Sequence, residues 1–240
     1  MSPLPVLTSA AVPKLRPITA VVFDLYETLV TESGLDVARA GALGPVFGLD
    51  PVAYRKQWKP LRPSVVRGEL TLAQALTRVG RQLGSEIGAE RIQRAIDERI
   101  RARTAVLENA HPDLVRLTKD LASDGLRLAT ISNCMAEDVN GWSRSALAPH
   151  VACTVFSCAV GLAKPDPQIY LEAVRQLDVE PEDALYVGDG GDDELSGARE
   201  AGLQIAQAGW FVARDRYDDA PFLGSPQDVM RMVAASRGTH

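Results

Sequence analysis

Short apolar runs alternate with helical patterns over much of the chain. A compact, β-branched run at residues 18–23 has the composition of a strand buried on both faces. Further strands are predicted at 126–131, around 154–156, at 184–187 and at 203–208, with helical spacing of apolar residues between them. This alternation is typical of parallel βαβ units. It predicts an α/β protein with a Rossmann-like, three-layer parallel sheet.

The stretch between residues 34 and 109 shows helical spacing and no strand pattern. One apolar stripe begins at Leu72, after Thr71 and Gln74, which have the spacing of a capping box. A second stripe, over residues 92–100, is flanked by arginines that alternate with acids: Arg91, Arg94, Arg99, Arg101 and Arg103. We interpret these arginines as a solvated, ion-paired helix face. The block is therefore predicted to be an all-helical insert.

These patterns divide the chain into three parts. Residues 1–17 contain four prolines and no sustained apolar stretch, which indicates a loose N-terminal arm. Residues 18–33 and 110–240 are predicted to form one discontinuous α/β core. Residues 34–109 are predicted to form a helical cap inserted into that core.

Composition limits the classes of partner. The 240 residues carry a net charge of -5 without a run of Lys or Arg, which argues against nucleic acid and acidic membrane surfaces as partners. No apolar run approaches the roughly 18 residues that a membrane span needs. The three cysteines lack zinc spacing, which favours reduced thiols and a cytoplasmic protein. We expect a small-molecule substrate, and the sequence leaves the oligomeric state open.

Polar side chains follow four of the predicted strands. Asp24 comes directly after the first strand, and Ser132 with Asn133 follows the second. Lys164 comes a short segment after the third, and Asp189 follows the fourth. Three acids come after it, namely Asp192, Asp193 and Glu194. Because parallel strands end at one edge of a sheet, where α/β proteins bind ligands, we expect these groups to converge.

The residue types fit a hydrolase that forms a covalent intermediate. A carboxylate such as Asp24 can attack an electrophilic centre and become an acyl phosphate or an ester. A nearby lysine can balance its charge as a compact cation. Asp24 and Asp189 together can hold Mg²⁺, which prefers oxygen ligands. Hydroxyl and amide groups can bind substrate oxygens at Thr28, Ser132 and Asn133.

The four segments, in this order, resemble the haloacid dehalogenase (HAD) superfamily of hydrolases over residues 20 to about 202. The helical block resembles the type 1 (C1) cap of that family. The resemblance implies that Asp24 is the nucleophile and that Lys164 stabilises it. The implied substrate-binding residues are Thr28, Ser132 and Asn133. The implied Mg²⁺ ligands are Asp24, the backbone carbonyl of Tyr26, Asp189, and either Asp193 or Glu194.

The first motif departs from the phosphatases of the family, which usually carry an aspartate at the place of Tyr26 as a general acid. Tyrosine, with an ordinary pKa near 10, is a poor proton donor at neutral pH. The 2-haloacid dehalogenases of the family have tyrosine there and need no metal. Tyr170 stands six residues after Lys164, as in those enzymes. Arg55, in the predicted cap, is a candidate to receive a halide or a carboxylate.

The last motif favours a phosphatase. At this motif the dehalogenases have a sequence similar to Ser-Ser-Asn, whereas this chain has Asp189 and three further acids. Carboxylates near a nucleophilic aspartate repel one another unless a cation is present. Glu27 stands where glycine is common in the family, and the sequence offers no interpretation of it.

We therefore favour Mg²⁺-dependent hydrolysis of a small phosphate ester through an aspartyl-phosphate. The first alternative is metal-independent dehalogenation of a 2-haloacid through an aspartyl ester. The second is a catalytically weak relative with a binding or regulatory role, because one fold hosts several functions.

Overall fold

The computed structural model describes residues 16–33, 42–212 and 217–238. A six-stranded sheet lies at its centre, with the strand order β3-β2-β1-β4-β5-β6 and parallel pairing throughout. The strands are β1 (Ala20–Asp24), β2 (Arg127–Ser132), β3 (Cys153–Phe156), β4 (Ala184–Gly188), β5 (Gln204–Ala208) and β6 (Phe222–Leu223). The predicted α/β class with a parallel sheet is confirmed.

Helices cover both faces of this sheet and form a separate group beside it. The helices before β2 are α1 (Pro51–Trp58), α2 (Arg62–Val66), α3 (Leu72–Gln82), α4 (Ala89–Glu108) and α5 (Pro112–Ser123). Those after β2 are α6 (Ala136–Val139), α7 (Ser157–Val160), α8 (Pro167–Leu177), α9 (Glu194–Glu200) and α10 (Gln227–Arg237). Among the described residues, no helix is long and apolar enough to cross a membrane.

Burial on both faces explains why β1 is continuously apolar. Val21 and Phe23 pack with residues of α5 and α10, whereas Ala20 and Val22 pack with residues of α8 and α9. Successive side chains of a strand point to opposite faces, so both sets must be apolar. The central strand is therefore buried along its whole length, and Asp24 is its last residue.

The described part of the insert is helical, as predicted. Helices α1–α4 enclose their own apolar cluster, which includes Tyr54, Trp58, Leu72 and Ile92. The boundaries at residues 34 and 110 stay predictions. Residues 34–41 and most of the predicted N-terminal arm lie outside the described residues.

The predicted capping box is present at the start of α3. The backbone N–H of Gln74 donates to Thr71 Oγ1 at 3.2 Å, and the backbone N–H of Thr71 donates to Gln74 Oε1 at 3.0 Å. These two bonds satisfy backbone donors that the first turn would otherwise leave unpaired. The box ties the start of α3 to the loop that follows α2.

Candidate active site

The sheet brings the predicted residues to one edge. Asp24 and Ser132 end the adjacent strands β1 and β2, and Asp189 follows β4 on the other side of β1. Lys164 reaches the same place from the loop between α7 and α8. These four residues and Asn133 line a cavity of about 850 Å³. The convergence expected from the strand ends is therefore present.

Helices of the insert form the opposite wall of this cavity. Arg55 and Trp58 of α1 line it, together with Arg62 of α2. Arg55 is exposed, whereas Trp58 is buried and stacks with Tyr54. Arg62 Nη2 lies 3.3 Å from Asp192 Oδ2, so an ion pair joins the insert to the loop after β4. The cavity is thus bounded by both parts of the molecule.

Asp24 is buried and held at both carboxylate oxygens. Its Oδ1 accepts a hydrogen bond from Lys164 Nζ, and its Oδ2 accepts one from Thr28 Oγ1 at 3.3 Å. Only 5% of the Asp24 surface is exposed. The carboxylate is therefore fixed in position, as a nucleophile in a covalent mechanism must be.

Asn133 holds the backbone on either side of the Lys164 side chain. Its Oδ1 accepts from the Lys164 backbone N–H at 2.8 Å, and its Nδ2 donates to the Lys164 carbonyl at 2.9 Å. Nδ2 also lies 3.0 Å from Asp192 Oδ2. Because both of its polar atoms are engaged in this way, Asn133 positions the lysine loop in addition to lining the cavity.

Glu194 is the second carboxylate that binds the Lys164 ammonium group. Lys164 Nζ bridges Asp24 and Glu194 and also lies 3.1 Å from the hydroxyl of Tyr186. The Tyr186 hydroxyl donates to Glu194 Oε2 at 2.6 Å, and the Gly190 N–H donates to Glu194 Oε1 at 2.9 Å. A Cβ on Gly188 would stand 2.2 Å from that Oε1, so this position has no room for a side chain.

Three buried carboxylates lie close together, and two of them bind the Lys164 ammonium group. Asp24, Asp189 and Glu194 each offer an oxygen, and these atoms lie within 4.8 Å of one another. When all three are ionised, the group with Lys164 has three negative charges and one positive charge. Such an excess is costly when buried and is relieved by a divalent cation, for which oxygen donors are suited. The donor set therefore fits Mg²⁺.

The structure brings Glu194 to this group and leaves Asp193 outside it. Asp193 is exposed, and its Oδ1 accepts from Ser196 Oγ at 2.8 Å. Asp189 Oδ1 accepts from the Gly191 N–H at 3.0 Å. Because Glu194 is engaged by Lys164 and Tyr186, its location suits charge balance as well as a metal. All predicted metal roles, including that of the Tyr26 carbonyl, stay predictions.

Burial and neighbouring charges shift the pKa values at this site. Burial and the neighbouring charge of Glu194 raise the pKa of Asp24 to about 7, against the opposing effect of Lys164. For Lys164, burial lowers the pKa, but Asp24 and Glu194 outweigh it and hold the pKa above its usual range. Lys164 therefore remains a cation, and a second cation would favour the ionised form of Asp24.

The hydroxyl of Tyr26 is engaged by a backbone oxygen and is poorly placed to act as a general acid. Its hydroxyl donates to the backbone carbonyl of Asp138 at 2.5 Å, and the Arg103 guanidinium lies 4.8 Å from the centre of its ring. Burial and the Asp138 charge raise the pKa of the phenol above its ordinary value. The proton of Tyr26 is thus committed to a backbone oxygen, in agreement with its interpretation as a poor donor.

The structure supplies the missing interpretation of Glu27. Its φ is +62°, a backbone conformation that glycine adopts without strain and that strains other residues. Its side chain accepts hydrogen bonds from Thr31 Oγ1 at 2.8 Å and from the Glu32 N–H at 2.9 Å. Glu27 therefore closes the turn after β1, and these two bonds offset the strain of its backbone.

The interpretation of the α4 arginines as a solvated face was wrong for Arg99 and Arg103. Both are buried and line the cavity. Arg99 pairs with Asp138 at 2.6 Å, and Arg103 pairs with Glu32. Arg99 lies three residues after Ile96 and Arg103 lies four residues after Arg99, which places both on the apolar face of α4. That spacing indicates burial, but the acids that alternate with the arginines led to the prediction of a solvated face.

Comparison with known proteins gives a consistent family. Residues 18–202 match the model of the haloacid dehalogenase-like hydrolases. A glyceraldehyde 3-phosphate phosphatase of Methanopyrus kandleri is 27% identical over 209 residues, which are 84% of this chain and 87% of that protein. Phosphoglycolate phosphatase 1 of Pseudomonas aeruginosa is 29% identical over 212 residues, covering 85% and 74% of the two chains.

Among solved structures, the fold resembles a 2-haloacid dehalogenase from Pseudomonas syringae. The TM-score is 0.65 at 25% identity, and the match covers 91% of this chain and 99% of that one. Proteins named for both predicted chemistries are therefore similar to this chain. The match to the family model spans all four strand-end segments, and the chain belongs to the haloacid dehalogenase-like hydrolases.

Proposed function

We propose that this hydrolase is a Mg²⁺-dependent phosphatase of small phosphate esters. The observation that carries this proposal is the group of Asp24, Asp189 and Glu194, in which Lys164 binds two of the three carboxylates. A metal-free dehalogenase gains nothing from a third buried carboxylate beside its nucleophile. A phosphatase needs additional carboxylates beside its nucleophile, because they hold a divalent cation against the charged phosphoryl group.

Asp24 attacks phosphorus in the proposed reaction, the bond to the ester oxygen breaks, and the aspartyl-phosphate forms. The leaving group departs as an alkoxide or phenolate, and an alkoxide takes its proton from water. Water then attacks phosphorus, which releases phosphate and restores Asp24. Lys164 neutralises phosphoryl oxygens during both steps, and Ser132 holds them by hydrogen bonds. Thr28 is buried and holds the attacking carboxylate of Asp24 instead of the substrate. When bound by Asp24 and Asp189, Mg²⁺ supplies further neutralisation of this charge.

Dehalogenation is the second candidate, and Tyr26 is the observation that favours it. This residue cannot serve as the usual acid, and halide leaves without a proton. The likeness to a 2-haloacid dehalogenase is in line with it. Chloride release from 2-chloropropionate in excess EDTA is the assay for this candidate. We expect none, and sustained release would replace the phosphatase proposal.

Mg²⁺ binding gives a prediction that does not depend on the substrate. At ten times the dissociation constant, a bound ion adds about 1.4 kcal/mol of stability. This corresponds to a rise in melting temperature of about 3–5 °C for a chain of this size. The rise is expected in wild type and in Asp193→Asn, and it is expected to disappear in Asp189→Asn. An equal rise in Asp189→Asn would remove Asp189 from the metal site.

Leaving-group dependence tests the role of Tyr26. Without an acid at this position, p-nitrophenyl phosphate should be hydrolysed much faster than an alkyl phosphate. Tyr26→Asp supplies a carboxyl group, and we expect the alkyl rate to rise at least about tenfold relative to the aryl rate. Tyr26→Phe, which has no proton to give, is the control and should leave that ratio unchanged. A selective loss of alkyl turnover in Tyr26→Phe would show that the phenol is the acid.

A further inference from the structure

We propose that Cys134 and Cys158 form a disulfide modification site beside the active-site cavity, oxidised by a hydroperoxide and restored by a thiol. Cys134 directly follows Asn133 and lines the cavity. Nothing in the proposed hydrolysis uses either sulfur atom. The inference goes beyond the phosphatase proposal and does not depend on it.

The two side chains are already adjacent. Cys134 Sγ and Cys158 Sγ lie 3.9 Å apart. The parallel register explains why, since Ser132 of β2 is opposite Phe156 of β3 and each cysteine lies two residues further along. Neighbouring strands are about 4.8 Å apart, which is compatible with the Cα separation of a disulfide. Beyond the strands, the Cys134 N–H donates to Ser157 Oγ at 2.9 Å, which keeps the two segments next to each other.

The pair has one accessible member and one buried member. Cys134 is 1% exposed, whereas Cys158 is half-buried. A hydrogen bond from Cys134 lowers the pKa of Cys158, and burial raises the pKa of Cys134. Thiolate character and access decide which cysteine is oxidised first. Cys158 is therefore the attacking residue and Cys134 the resolving one.

The reaction balances with hydrogen peroxide as the oxidant. The Cys158 thiolate attacks one peroxide oxygen, the O–O bond breaks, and a sulfenic acid and hydroxide form. Cys134 sulfur then attacks the sulfenic sulfur, and the hydroxyl leaves as water with the Cys134 proton. The two thiols lose two electrons in total, and the peroxide gains them. An excess of a small dithiol reverses the bond by exchange.

The bond would join two segments that meet the insert. Ser157 Oγ accepts from the Cys134 N–H at 2.9 Å and donates to the carbonyl of Val66 at 2.8 Å. A Cβ on Gly68 would lie 2.2 Å from the Cys158 carbonyl oxygen, so the insert rests directly on this segment. Moving Cys134 toward Cys158 displaces the backbone next to Asn133. Oxidation should therefore slow turnover as well as consume thiols.

The test is mass analysis of the intact chain after treatment with hydrogen peroxide, followed by alkylation in denaturant. We expect the number of alkylated thiols to fall from three to one, and dithiothreitol to restore three. Trypsin leaves Cys153 and Cys158 in one peptide, so the cross-link is mapped in Cys153→Ser. That variant should retain the link between Cys134 and Cys158, and Cys158→Ser should abolish it.

Two outcomes would overturn the proposal. One is conversion of Cys158 to a sulfinic acid while Cys134 remains alkylatable, and the other is a link that requires Cys153. If Cys158→Ser does not fold, Cys158→Ala serves the same purpose. Because thiol counting needs no substrate, its result can be interpreted even if the phosphatase assay fails. Where turnover is measurable, peroxide should slow wild type and Cys153→Ser, but not Cys158→Ser.

Discussion

Replacing Asp24 by asparagine is expected to abolish turnover and leave the protein folded. Loss of the carboxylate that we propose as the nucleophile should lower kcat by at least about 10⁴-fold. Lys164 keeps Glu194 as a buried partner in this variant, and the excess of negative charge falls by one. The melting temperature without Mg²⁺ should therefore rise by about 2–4 °C, as a gain of about 1 kcal/mol implies.

Asp120→Asn is the matched control for this variant, because Asp120 is exposed on α5, away from the cavity. It should change neither kcat nor the melting temperature. Kinetics of purified Asp24→Asn, together with its melting curve in EDTA, give both results. Residual turnover within tenfold of wild type would mean that another group attacks the substrate. It would also leave Asp24 as a mere ligand.

Replacing Lys164 by methionine is expected to damage both activity and stability. Its removal leaves the carboxylates of Asp24 and Glu194 buried without their cation. Removing one partner of a buried ion pair costs about 3–5 kcal/mol. In the proposed mechanism Lys164 also neutralises the phosphoryl oxygens, so its loss should lower kcat by about 10²–10³-fold. Lys119→Met, at an exposed position of α5, is the control for both measurements.

A double variant separates the structural role of Lys164 from its catalytic role. Lys164→Met with Glu194→Gln removes the ammonium and one of the charges that it balances. We expect part of the lost stability to return, since the amide is neutral and can still accept from Tyr186. Turnover should stay as low as in Lys164→Met alone. Recovery of both would show that Lys164 acts only through folding.

The strand ends allowed the site to be predicted because local patterns carry that information. A buried strand must be apolar on both faces, so the first polar residue after it, Asp24, marks the sheet edge. Parallel topology then brings Ser132 and Asp189 to the same edge. The capping box at Thr71 is equally local, and it was also correct. The short strand β6 and helix α10 were not predicted, as their apolar runs are brief.

The parts that the sequence did not predict depend on contacts between distant segments. Tyr186 was assigned to a buried strand, but its hydroxyl bonds to Lys164 and Glu194 from other elements. The partner of Arg99 is Asp138, which lies 39 positions further along the chain. Charge alternation along α4 resembles a solvated face because pairing with such distant acids cannot be read locally. Glu27 needed a backbone angle to be understood.

Phosphate release from p-nitrophenyl phosphate at neutral pH, with Mg²⁺ and again with excess EDTA, tests the phosphatase proposal most directly. This substrate has a good leaving group, so the absence of an acid at Tyr26 matters little. We predict release that requires Mg²⁺ and disappears in Asp24→Asn. Equal release in EDTA, or none in either condition with chloride appearing from 2-chloropropionate, would contradict the proposal.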